Sequence, residues 1–141
     1  MTVETTNIRL STSGHCDIVD ITAKVAEQVV SSGVKDGIAT IFVTGSTAGV
    51  TTIEYEHGLV SDLKEMWSRI IPENMSYKHD RAWGDGNGYA HVRASLLGAS
   101  LVIPVANKRL ILGTWQQIVL LDFDNRARSR EIIVQDRKSV V

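Results

Sequence analysis

The sequence is poor in several things, and each shortage excludes something. It has one cysteine, Cys16, so there is no intrachain disulfide framework and no multi-cysteine zinc centre. A single thiol fits a reducing compartment. No stretch approaches the roughly 18 apolar residues that a membrane span needs. The first six residues, Met-Thr-Val-Glu-Thr-Thr, lack the basic and then apolar pattern of a signal peptide. Net charge is −1, which gives no global pull toward nucleic acid or an anionic membrane. There is no internal repeat, no low-complexity tract and no linker. Neither a P-loop nor a dinucleotide fingerprint is present, because no Gly-Lys-Ser/Thr follows a glycine loop and no Gly-x-Gly-x-x-Gly is properly spaced. What remains is the expectation of a soluble, cytoplasmic chain with no nucleic-acid or membrane partner.

What is present is an ordinary globular composition, 43% hydrophobic and 22% charged over 141 residues, the size of one domain. Residues 2–11 alternate as a first strand, and residues 11–14 read as a turn. Asp20 to Gly33 reads as a helix, with Ile21, Val25, Ala26, Val29 and Val30 at helical spacing and Gly33 as its left-handed stop. Residues 37–44 and 50–56 read as a strand pair about a small-residue turn. Leu59, Leu63, Met66, Trp67, Ile70 and Ile71 mark one helical face that Pro72 ends. Ala90 to Leu97 is a short helix stopped by Gly98. Residues 101–105, 110–112, 113–123 and 131–135 read as further strands. Strands joined by short turns outnumber helices, so the expected class is α+β, an antiparallel or mixed sheet, sandwich-like, with helices packed on one side. A single domain spans residues 1–141.

The chemistry gathers between His79 and Gln117. His79, Asp85 and His91 stand six and six apart, and imidazole with carboxylate is the usual sulfur-free ligand set for a divalent metal. A solvated loop with two surface histidines has the same pattern. Gly84-Asp-Gly-Asn-Gly88 ahead of a helix suggests a backbone cradle for an anion, with Asn87 and Gly88 in it and Arg93 adding charge. A flexible glycine loop capped by Asn87 reads equally well. Glu54 and Glu56, two apart, would share a strand face, with Glu54 as a general base or ligand and Glu56 on the wet side. Trp115 and Gln116 point opposite ways, one lining a pocket and one packing. Arg126, Arg128 and Arg130 form a polar turn too small to argue nucleic-acid binding.

The run Ala90-His91-Val-Arg-Ala-Ser-Leu-Leu-Gly98, then Ser100-Leu-Val-Ile-Pro104 and Leu112-Gly-Thr-Trp-Gln116, resembles the YjbQ-like family. The likeness runs from about Val3 to Gln135. Some members of that family are labelled secondary thiamine-phosphate synthase. The resemblance implies an α+β fold assembled as a homotrimer, with a site between or beside subunits. It implies weak joining of a hydroxymethylpyrimidine diphosphate to a thiazole phosphate, with release of pyrophosphate. Carried onto this chain, the matching positions are Glu54, His79, Asp85, Asn87, His91 and Gln116. The expected assignment is His91, Glu54 and Asp85 as catalytic groups, and Asn87, Gly88, Arg93 and Gln116 for a phosphorylated ligand. His79, Asp85 and His91 would hold a divalent metal, Zn or Mg. The alternative is a trimer that binds a metal or phosphate ligand without turnover. Two departures stand out. Many relatives have His-Thr where this chain has Gly45-Ser46, which removes a third metal-binding histidine. Many also have Asn-Gly where this chain has Asn107-Lys108, and lysine disfavours positive φ, so another turn type is expected there.

Overall fold

A computed structural model describes residues 3–139. In chain order the elements are β1 (Val3–Thr12), β2 (Asp17–Asp20), α1 (Thr22–Ser32), β3 (Gly37–Val43), β4 (Ala48–Glu54) and α2 (His57–Ile70). They continue with α3 (Lys78–Trp83), α4 (Gly88–Leu97), β5 (Ser100–Ala106), β6 (Arg109–Leu110), β7 (Gln116–Asp122) and β8 (Arg128–Lys138). One antiparallel sheet runs β1-β8-β3-β5-β6 and a second runs β2-β7-β4. The α+β class is borne out.

Strand β7 explains the layering. Its apolar run leaves no face for water. Ile118 and Leu120 join the core shared with Ile41, Val43, Ile132 and Val134 of the larger sheet and Val25 and Val29 of α1. Val119, Leu121 and then Phe123 point the other way, under Trp67 of α2 and Tyr89, Ala90 and Ala94 of α4. A strand sandwiched on both faces reads as a continuous rather than alternating apolar run. Trp67 sets its edge against Phe123 with ring centroids 4.9 Å apart, a favourable aromatic geometry. Among the described residues no helix is long and apolar enough to cross a membrane.

Several local expectations are corrected. Glu56 is not on a strand: β4 ends at Glu54, and the Glu56 carboxylate accepts the N–H groups of Gly58 and Leu59 at 2.9 and 2.7 Å, capping α2. Its pKa is lowered by those two bonds. The segment after Pro72 carries the short helix α3, with Trp83 75% exposed. Residues 113–115 form a turn and not the start of a strand, leaving Trp115 73% exposed. Both Asn107 and Lys108 adopt positive φ, 52° and 62°, so the hairpin does take the doubly left-handed form. Tertiary bonds hold it: Lys108 N–H donates to the Lys35 carbonyl at 2.8 Å and Asn107 N–H to Asp36 Oδ1 at 3.0 Å.

One buried group is poorly served. Asp136 points inward from β8, 1% exposed, and its Oδ1 has no hydrogen-bond partner among the described residues. Burial raises its pKa, Ser32 opposes this, and Glu4 adds to it. A carboxyl whose folded pKa is raised binds its proton more tightly in the folded state. Its contribution to stability therefore falls as pH rises from the ordinary carboxylate value through the raised one. Asp136→Asn is expected to stabilise the protein at pH 7 by about 1 kcal/mol. The gain should vanish below about pH 4, where the wild-type carboxyl is itself protonated. Urea midpoints of both proteins between pH 3.5 and 8 measure it, and a gain independent of pH would contradict the argument.

Candidate functional site

The two histidines meet. His79 lies in the first turn of α3 and His91 in the first turn of α4, with ring centroids 4.3 Å apart and planes tilted by 40°. The turn between the helices brings them together. Gly84 ends α3 in the left-handed conformation, φ 71°, and the Asp80 carboxylate then accepts the N–H of Gly88 at 2.8 Å. Gly88 has to be glycine, because a Cβ there would lie 2.6 Å from Cβ of Tyr77. His79 Nδ1 is buried without a hydrogen-bond partner among the described residues, 3.9 Å from Asp80 Oδ1. Burial depresses the His91 pKa and His79 depresses it further, while Asp124 and Asp85 pull it back. His91 is therefore held toward the neutral imidazole, able to donate from one nitrogen and accept at the other.

Beneath the histidines lies a charged network that the sequence reading passed over. Asp124 is fully buried. Its carboxylate takes hydrogen bonds from Asn125 N–H at 2.8 Å, Thr47 Oγ1 at 2.9 Å, Arg128 Nε at 2.8 Å and Asn87 Nδ2 at 3.3 Å. Burial alone would raise the Asp124 pKa, but those donors outweigh it and hold it low. Two residues back, Asp122 receives the Arg130 guanidinium on both oxygens, Nε at 2.7 Å and Nη2 at 2.8 Å, and also the hydroxyl of Thr12. A fork-to-fork pair of this kind is the strongest form of charge-assisted bond. Two signals pointed to it: aspartates at 122 and 124 in an apolar run, and arginines at 128 and 130 on one strand face. On sequence, Asp122 falls in the strand 113–123, while Asp124, Arg128 and Arg130 fall in a polar turn.

The remaining expected residues fall elsewhere. Arg93, expected at a phosphorylated ligand, is turned into the core. It is 1% exposed, donates Nε and Nη2 to the Ile71 carbonyl at 3.0 and 2.8 Å, and lies over the rings of Tyr89 and Phe123. The apolar faces of α4 and β7 close over position 93, so its side chain is drawn inward to finish the end of α2. The Gly88 N–H proposed for phosphate is occupied by Asp80. Asn87 is 3% exposed and makes no side-chain cap; its Nδ2 faces Asp124 and its Oδ1 has no partner among the described residues. Asp85 lies in the turn, where its backbone carbonyl accepts from Asn125 Nδ2 at 2.8 Å. Among the described residues no three His, Cys, Asp or Glu side chains gather to hold a metal ion. One chain thus offers two imidazoles and not the expected His79–Asp85–His91 set.

Glu54 and Gln116 face each other across β4 and β7, beside an open groove shared with Thr52 and Trp115. Gln116 donates to Thr52 Oγ1 at 2.9 Å and accepts from Gly113 N–H at 3.0 Å. This is the far end of β7 from Asp122, about 20 Å away at the usual strand rise. The expected convergence of residues 79–91 with the strand entering at Gly113 does not occur within one chain.

A two-sheet antiparallel α+β domain with a histidine pair over a buried Asp–Arg network defines the class. The model of the family described as UPF0047 protein YjbQ-like matches residues 6–138, and the chain belongs to that family. A UPF0047 protein of Archaeoglobus fulgidus is 40% identical over 128 residues, covering 91% of this chain and 97% of the relative. One from Methanothermobacter thermautotrophicus is 38% identical over 134 residues, covering 95% and 92%. The crystal structure of a YbjQ-like protein of unknown function from Sulfolobus solfataricus superposes with a TM-score of 0.92 at 37% identity, covering 98% of this chain and 99% of that one.

Proposed function

We propose that the protein is a cytoplasmic transferase acting on phosphorylated small molecules, of the thiamine-phosphate synthase kind. It would join a hydroxymethylpyrimidine diphosphate to a thiazole phosphate. In that reaction the pyrimidine methylene C–O bond breaks, a C–N bond forms to the thiazole nitrogen, and pyrophosphate leaves. The observation that carries the reading is the His79–His91 pair at 4.3 Å with His91 held toward neutrality. Such imidazoles can donate N–H to the oxygens of the departing diphosphate, where charge develops. The donor set of one chain does not fit a metal centre, so no step is routed through Zn or Mg.

The proposal includes a homotrimer. Glu54 and Gln116 would serve the reaction from the neighbouring subunit, since their own chain holds them a strand length from the histidines. Support comes from the outer face of the larger sheet, where Ile38, Phe42 and Val102 stand exposed, and from the exposed Trp115. Exposed apolar area of this kind is a common mark of association.

The assay is formation of thiamine phosphate by the purified protein. His91→Ala should lower the rate by roughly a hundredfold or more. Mixing His91→Ala subunits with Gln116→Ala subunits should restore roughly a quarter of wild-type rate, the share of intact sites in randomly mixed trimers. Equal rates in wild type and His91→Ala remove the catalytic proposal, and a mixture no better than its parents removes the shared site. Saturable binding of substrate without turnover by the wild type would favour the non-catalytic reading.

A further inference from the structure

The loop between β3 and β4 holds donors that have no acceptor among the described residues. Thr44 N–H donates to the Glu131 carbonyl at 3.1 Å, but among the described residues the N–H groups of Gly45 and Ser46 have no such partner. Arg130 reaches the same place from β8. It is 7% exposed. Its Nε and Nη2 are taken by Asp122, and Nη2 also donates to Thr47 Oγ1 at 2.6 Å. Its Nη1 has no acceptor among the described residues and ends against Gly45, where a Cβ would stand 2.7 Å from it. The guanidinium is thus clamped on its inner edge and free on its outer one.

We propose that Gly45, Ser46 and Arg130 form an oxyanion subsite for a phosphoryl group. Three features converge on that chemistry. Successive backbone N–H groups in a small-residue turn favour an anion. A guanidinium already fixed in its plane by a carboxylate loses little further freedom on binding, and its fork matches phosphate oxygens. Asp122 and Asp124 approach through the Nε and Nη2 edges, the latter at 3.8 Å from Nη2, so neither carboxylate is bonded to Nη1. Beside the loop a cavity of about 230 Å³ is lined by Gly45, Ser46, Ala48, Ala94, Ser95 and Gly98. Its α4 wall includes Ser95, one turn beyond His91 on the same helix face. The rest of a ligand anchored at Arg130 would run along that wall. Only this last point rests on His79 and His91 being the reacting pair.

The probe is inorganic phosphate, titrated into the full chain in chloride buffer by calorimetry and 31P line broadening. The readout needs no turnover, so it stands apart from the transferase assay. Wild type should bind saturably. Ser46→Asp, at an exposed position, and Gly45→Ala, which crowds Nη1 while leaving the Asp122 pair in place, should each weaken binding roughly tenfold or more. Thr5→Asp, the same charge change at the far end of β1, should leave it unaltered. Absence of saturable phosphate binding by the folded wild type, or affinity unchanged in both loop variants, overturns the proposal.

Discussion

Asp122→Ala is expected to destabilise the protein by about 3–5 kcal/mol, the usual penalty for removing one partner of a buried ion pair. Asp122 is fully buried and binds Arg130 through both oxygens. The substitution leaves a largely buried guanidinium whose remaining hydrogen-bond partner is Thr47 Oγ1 and whose nearest carboxylate, Asp124, is 3.8 Å away. It also strips the acceptor from Thr12 and from the N–H of Asp124. Such a loss is a large part of the 5–15 kcal/mol that holds a typical domain together. Urea unfolding gives the number, with an unchanged m-value required for a two-state reading. The double variant Asp122→Ala/Arg130→Met should recover much of the loss, because no isolated charge remains. If the two single losses simply add, the coupling assigned to this pair is absent.

The second large effect is at Arg93. Arg93→Ala is expected to cost about 3 kcal/mol, combining a buried cavity with an Ile71 carbonyl deprived of its donors. Arg93→Met keeps most of the volume and removes the buried charge, so it should cost clearly less. Thermal and urea unfolding of the two variants, side by side, decide the order. Phosphate binding should survive in Arg93→Met, since its guanidinium lies between Tyr89 and Phe123 and away from the Gly45 loop. A loss of binding there, with folding intact, would return Arg93 to the ligand role that the sequence suggested.

These cases show where sequence reading succeeds. The α2 face was legible because a helical period repeats over several turns and Pro72 ends it. Gly33 closes α1 with φ 77° as expected, since few other residues take that conformation cheaply. The His79–His91 meeting was half legible: clustering was visible, but the four-residue loop between α3 and α4 does not say which way two rings point. Asp80, bonding Gly88 across that turn, decided it. Arg93 looks like a ligand group because it is a charged residue near a glycine loop, and only packing reveals that its helix face is buried. Lys108 was misjudged because local preference, worth about 1 kcal/mol, yields to the two tertiary bonds that hold its hairpin.

By itself the sequence determined the α+β class, most of the strands and three of the helices, because these follow from periodicity, stop residues and side-chain type along a local window. Tertiary structure alone decided that Asp122, Asp124, Arg128 and Arg130 form one buried network, that Arg93 serves the core, and that Glu54 and Gln116 stand at the opposite end of β7 from the histidines. Those outcomes depend on strand register and on which faces lose water. Both are set by contacts between residues more than a hundred positions apart, such as Thr12 with Asp122 and Val3 with Arg137, and no local window contains them.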